Sequence, residues 1–193
     1  ATNASATSLA AKSSALNEQV TFAAIAAREG RSPESVAYDL LLEHEGKGFL
    51  YFPFLNYSGG DFTAIQTMLE HPRAVVGLAD GGAHCGVICD ASTPTYLLTH
   101  WARDRSRGPR LPIEHLVARQ TRDTARLYGL EDRGMLTPGL LADLNVIDLE
   151  RLALLPPEMV FDLPAHGRRL VQRARGYRAT VKRGAVTYEG GVA

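Results

Sequence analysis

Apolar residues recur along this chain with two different periods, and the change between them divides it. Over residues 18–29, Val20, Ala23, Ala24 and Ala27 share one helical face, and Gly30 stops the run. A second helix opens at residue 32. Ser32 is a good N-cap, Pro33 suits the first helical position, Glu34 complements the dipole, and Gly46 ends the element. Residues 48–56 are aromatic and apolar and read as a strand, although Pro53 disfavours a central position. Asp61 caps a further helix that closes before Pro72. Residues 74–79 form an unbroken apolar strand. After a glycine-rich loop, Thr93 caps the next helix and Pro94 opens it. Both strands are apolar throughout, as parallel strands covered on two faces should be. The order strand, helix, strand, helix predicts an α/β fold with parallel strands and a right-handed crossover.

Two short helices follow, over residues 111–120 and 122–129, the second closed near Gly129. Beyond residue 130 the pattern turns to β. A strand follows the Pro138-Gly139 turn. Residues 177–191 read as a hairpin turning near Arg183-Gly184, with Tyr177, Ala179 and Val181 against Val186 and Tyr188. The proline-rich stretch 154–167 reads as a surface connection. Three regions are therefore expected: a flexible or cut N-terminus over 1–16, an α/β segment over 17–130, and a β segment over 131–193.

Composition narrows the classes. The 193 residues are 45% hydrophobic and 22% charged, which suits a globular chain able to bury a core. The 21 basic and 21 acidic residues cancel, which argues against a nucleic-acid partner or electrostatic docking on a membrane. No apolar run reaches the length of a membrane span. Cys85 and Cys89 are the only cysteines, too few for a disulfide framework, so a reducing cytoplasm is the expected compartment. Residues 1–16 carry one positive charge, Lys12, and no apolar core, unlike a signal peptide.

Candidate chemistry gathers where the run 75–79 ends. In "VVGLADGGAH" an acid leaves the strand, two glycines free the backbone, and His84 follows four residues on. In α/β folds, chemistry collects at the carboxyl ends of strands. An acid and a histidine there could transfer a proton or help to hold a metal; equally, Asp80 could cap a turn and His84 pack at the surface. Asn56 and Tyr57 end the preceding strand on the same expected rim, where Asn is also a common turn former. Asp90 and Ser92 read as braces for the helix at Pro94, and His100 and Trp101 as core.

"VVGLADGGAH", "PTYLLTHW", "TRDTARLYGLEDRGMLTPGLLADLNVID" and "DLPAHGRRLVQRARGYRATVKRG" together resemble the C-terminal portion of the amidohydrolase superfamily. More narrowly they resemble its N-acyl-D-amino-acid deacylase (D-aminoacylase) branch. Gly134, Leu136, Pro138, Gly139, Ala142, Asp143 and Leu144 carry a run common to many amidohydrolases. The resemblance implies the last βα units of a TIM-type (β/α)8 barrel over 17–130, followed over 131–193 by C-terminal strands of a small β-sandwich. It implies hydrolysis of an N-acyl-D-amino acid or a related linear or cyclic amide. Asp80 would be the catalytic acid/base at the end of the eighth strand and a possible ligand of a Zn2+ ion. His84 would contact substrate, and Asn56 would assist from the seventh strand. None of His44, His71, His84, His100, His115 and His166 forms the family's His-x-His pair. The other zinc ligands would thus come from elsewhere, and this chain alone would hold no zinc. It would then be a fragment, a partner of a complementary chain carrying the metal-binding half, or a self-associating non-catalytic module. The branch also places an arginine for the substrate carboxylate soon after "DGxxH". Residues 81–92 contain none, and Arg103 lies one helix later.

Overall fold

The computed structural model describes residues 21–50, 56, 60–77, 79–82, 84–88 and 90–190. The expected N-terminal segment over residues 1–16, residues 51–55 of the first expected strand, Tyr57 and Cys89 lie outside these. The chain divides into two compact units, one ending at Ala74 and one beginning at Val75.

In the first unit the cap signals act as the sequence implies. Helix α1 (Phe22–Glu29) begins at Thr21, whose hydroxyl accepts from the Ala24 amide at 3.1 Å, and ends at Gly30 in the left-handed region. Helix α2 (Pro33–Gly46) begins at Ser32, whose hydroxyl accepts from the Ser35 amide at 3.2 Å. Its last turn is irregular, with His44 and Glu45 at positive φ. Arg31 ties the two helices by bonding Glu29, Ser35 and Asp39. Helix α3 (Thr63–Glu70) departs slightly from expectation. Phe62 occupies the cap position, and Asp61 accepts from the Thr63 amide at 2.9 Å from one residue further out.

The second unit corrects the expected parallel sheet. Residues 74–77 and 79 form no strand, and Val75 is 39% exposed. Every strand pair among the described residues is antiparallel. An apolar run becomes a strand only where a neighbour takes up its amides and carbonyls, and none of the described strands pairs with residues 74–79.

Helix α4 (Thr93–Tyr96) is also entered differently than expected. A 3-10 turn (Asp90–Ser92) precedes it, and the Thr93 hydroxyl donates back to the Asp90 carbonyl at 2.7 Å instead of capping. The helix widens into a π-helix (Leu97–Asp104). Helices α5 (Ile113–Gln120) and α6 (Arg122–Leu127) follow, and Gly129 is left-handed as the helix stop requires.

The core of this unit sits on the π-helix: Leu97, Leu98 and Trp101 are buried with Leu111, Leu116, Ala125 and Leu152. Arg105 lies 4.0 Å over the Trp101 ring, where its charge meets the electron-rich face. Gly108 makes room for it. A Cβ there would stand 2.7 Å from the Arg105 guanidinium, and φ is +89°.

His100 stacks on Tyr96 at 4.8 Å and meets the Trp101 ring edge-on at 5.5 Å. Burial, reinforced by the Arg105 charge, pushes its pKa down to about 4. In the unfolded chain the imidazole takes up its proton near the ordinary value of about 6.5. Between those values the unfolded chain binds more protons, so acid favours unfolding. This contribution is whole at pH 7, falls as pH drops below about 6.5, and is gone below pH 4, a loss of about 3 kcal/mol. Urea midpoints at pH 7 and pH 4.5 should diverge for the wild type and converge by most of that amount in His100→Phe. Equal divergence in both proteins would remove His100 as the cause.

Among the described residues the β segment forms three small sheets. Strands β1 (Leu144–Ile147), β6 (Tyr177–Lys182) and β7 (Ala185–Glu189) form one, in the order β1-β6-β7. Arg183 and Gly184 both take positive φ in the β6–β7 turn, as the hairpin signal implies. Asp143, from the shared "ADL" run, latches this turn. It accepts from Arg133 at 3.0 Å, from the Arg183 amide at 2.8 Å and from Lys182. These partners, Lys182 first, hold its carboxyl below the usual range. Strand β2 (Ala153–Leu154) pairs with β5 (Ala174–Arg175). The expected proline-rich connection is corrected too: β3 (Glu158–Leu163) and β4 (Gly167–Val171) form a hairpin. The cross-strand pair Arg169–Asp162, and the pair of Glu158 with Arg173 just past β4, have partners 7 and 15 residues apart, so local periodicity does not reveal them.

Candidate functional site

The acid–histidine loop lies at the start of the second unit. Asp80 and His84 are both solvent-exposed, and both take positive φ, +49° and +45°. Non-glycine residues in this region are uncommon, although Asp and His tolerate it better than most. The two glycines have different tasks. Gly82 adopts φ +96°, closed to most side chains, whereas Gly81 faces Ala91, whose Cβ would lie 3.0 Å from an added Cβ. The loop can therefore lean on the turn that precedes α4.

Beyond His84 the backbone makes one helical turn. The His84 carbonyl accepts from the Val87 and Ile88 amides at 2.9 and 3.1 Å. Among the described residues the Asp80 carboxylate has no hydrogen-bond or ion-pair partner. Exposure resolves the cost of placing an acid after an apolar run, because water solvates it. An exposed carboxylate is free to exchange protons with a bound molecule.

Asn56 is exposed at φ +61° in the first unit, while Asp80 and His84 share one loop of the second. Arg103 is engaged elsewhere. It pairs with Asp104 at 2.6 Å and donates to the carbonyls of Leu149 and Leu152, tying the π-helix to the segment before β2. Cys85 is a free, half-buried thiol. Among the described residues no three His, Cys, Asp or Glu side chains could together hold a metal ion. Asp80 and His84 could supply ligands but do not complete a metal site. Among the same residues no helix is long and apolar enough to cross a membrane.

Sequence reasoning missed how the loop is held. The Leu170 amide of β4 donates to the Cys85 carbonyl at 2.6 Å. The Ser92 hydroxyl donates to Gln172 Oε1 at 2.5 Å, and Gln172 Nε2 donates to the Leu155 carbonyl at 3.1 Å. Thr95 and Tyr177 share a hydroxyl–hydroxyl bond of 2.8 Å. Apart from Gln172 and Leu155, which are 17 residues apart, these partners are about 80 residues apart in sequence, so no local signal announces them.

Comparison with known proteins adds to this geometry. Residues 10–188 match the sequence pattern described as the amidohydrolase family. The chain is also similar to an imidazolonepropionase of Paracoccus denitrificans (strain Pd 1222), 35% identical over 112 residues. The match covers 56% of this chain and 27% of that protein. The chain thus spans well under two thirds of that curated relative. No solved structure matches it.

Proposed function

The chain belongs to the amidohydrolase family, and from that premise we propose that it contributes to a hydrolase of carbon–nitrogen bonds in amides. The supporting observation is the Asp80 carboxylate, exposed and without a hydrogen-bond or ion-pair partner among the described residues, on a loop with positive φ at Asp80 and His84. The reaction adds water to the carbonyl carbon and breaks the C–N bond. Asp80 takes a proton from the attacking water and returns it to the departing nitrogen. His84, on the same loop, orients the substrate as a hydrogen-bonding ring. Asn56 is kept as a proposed substrate contact on the sequence pattern alone.

The family usually binds a metal, which would polarise the carbonyl and the attacking water. We assign it as Zn2+, in keeping with the sequence resemblance. The donors described above do not make such a site by themselves. The remaining ligands would come from a continuation of the chain or a complementary chain, and no step above depends on their geometry. A cytoplasmic location belongs to the same proposal.

Two substrate classes divide the reading. The sequence resemblance favours N-acyl-D-amino acids. The name of the Paracoccus relative, and the commitment of Arg103 to Asp104 and backbone carbonyls, favour a cyclic amide. Assays should compare N-acetyl-D-amino acids, their L-enantiomers and imidazolone propionate, using protein supplied with the metal-binding half. Hydrolysis of the D-compounds is expected, and ring opening alone would reassign the substrate. The 193-residue chain with added zinc is expected to be inactive, and turnover there would overturn the proposal of shared ligands.

A further inference from the structure

We propose that the β3–β4 hairpin positions the loop bearing Asp80 and His84, with Gln172 as the positioning residue that fixes the far end of that loop. The functional meaning rests on the reading of Asp80 and His84 above; the mechanical coupling does not.

The loop is fastened at two points, Cys85 and Ser92, to one strand and its extension. At the near end, the Leu170 amide is directed to the Cys85 carbonyl at 2.6 Å, outside the β3–β4 ladder. Cys85 directly follows His84, so β4 holds the chain one residue past His84. At the far end, Ser92 closes the 3-10 turn on which Gly81 leans. Its hydroxyl bonds Gln172, two residues past Leu170. Gln172 is in turn held by the Leu155 carbonyl through its amide nitrogen. A glutamine serves here because it accepts and donates through one planar group. The hairpin is stiffened by the Arg169–Asp162 pair, with two guanidinium nitrogens on the two carboxylate oxygens at 2.7 and 2.6 Å. Displacing β4 therefore displaces the Cys85 carbonyl and the Ser92 turn together. His84 immediately precedes the first anchor, and Asp80, just before Gly81, precedes it by five residues.

Cys85 reports on this contact directly. In a Cys89→Ser background it is the sole thiol, and its reaction with a disulfide reagent such as dithiobis(nitrobenzoate) measures opening of the loop from β4. Gln172→Leu removes both bonds of the bridge, and Ser92→Ala removes one. Each should raise the native-state labelling rate about five- to tenfold, the usual effect of one lost hydrogen bond. The double variant should label no faster than Gln172→Leu, because both changes break one linkage. Gln172→Glu keeps the acceptor for Ser92 but loses the donation to the Leu155 carbonyl, so it should label faster than the parent and no faster than Gln172→Leu. The Leu170 amide should lose hydrogen-exchange protection in step, while amides of the π-helix keep theirs. Rates within about twofold of the parent for both Gln172→Leu and Ser92→Ala, or multiplying effects in the double variant, would overturn the coupling. So would labelling that merely follows global unfolding. If Gln172→Leu does not fold, Ser92→Ala decides alone. No substrate enters these measurements, so a failure of Asp80 as the catalytic acid leaves them unchanged. In the active protein, Ser92→Ala should lower kcat with KM little altered, separating misplacement of Asp80 from loss of substrate binding.

Discussion

Asp80→Asn is expected to lower kcat for amide hydrolysis by about 10³-fold in protein supplied with its metal-binding half, with KM changed little. Asparagine matches the size of aspartate but cannot accept the proton of the attacking water. The choice of asparagine matters because Asp80 sits at φ +49°, a region that asparagine tolerates and alanine resists. The backbone should therefore keep its path. Asp80 is exposed and has no hydrogen bond or ion pair among the described residues, so the unfolding midpoint should stay within about 0.5 kcal/mol of the parent. Steady-state kinetics and urea unfolding of the same preparation separate the two effects. Turnover within about threefold of the parent would remove Asp80 from the chemistry.

Trp101→Ala should cost about 3–5 kcal/mol of stability, the range for truncating a buried large aromatic side chain. The ring is 2% exposed and lies at the centre of the second unit. Its loss opens a cavity among Leu97, Leu98, Leu111 and Leu116. It also takes away the face over which the buried Arg105 lies at 4.0 Å and the ring that His100 meets edge-on. Trp101→Phe keeps an aromatic face and should lose less than half as much. Far-UV circular dichroism in urea provides the measurement, since this is the only tryptophan in the chain. An unchanged midpoint in Trp101→Ala would mean that the core lies elsewhere.

Local devices were legible wherever the physics was local. Ser32 with Pro33, Gly30, Gly129 and the Arg183-Gly184 turn act as their residue types imply, because a cap or a positive φ depends on a few neighbouring atoms. The run at 74–79 was misread for the converse reason. Its apolar character satisfies the requirements of a strand face, but pairing needs a second chain segment that composition does not provide. The β3–β4 hairpin was hidden by its prolines: Pro156, Pro157 and Pro164 flank the strands instead of interrupting them. The Asp–Gly–Gly–x–His pattern drew attention to the right loop but not to what holds it.

By itself the sequence determined the helix start at Ser32, the helix stops at Gly30 and Gly129, the hairpin at Arg183-Gly184, the motif series that marks the family, and the acid and histidine on one glycine-rich loop. Each follows from interactions spanning a few residues or from an ordered pattern. Only the tertiary structure decided that Asp80 and His84 stand exposed at positive φ, that Arg103 is tied to backbone carbonyls, and that β4 and Gln172 fasten the candidate loop. The last two outcomes depend on partners about 45 to 85 residues away in sequence. Their hydrogen bonds form only after the chain has folded back on itself, so no local pattern can encode them.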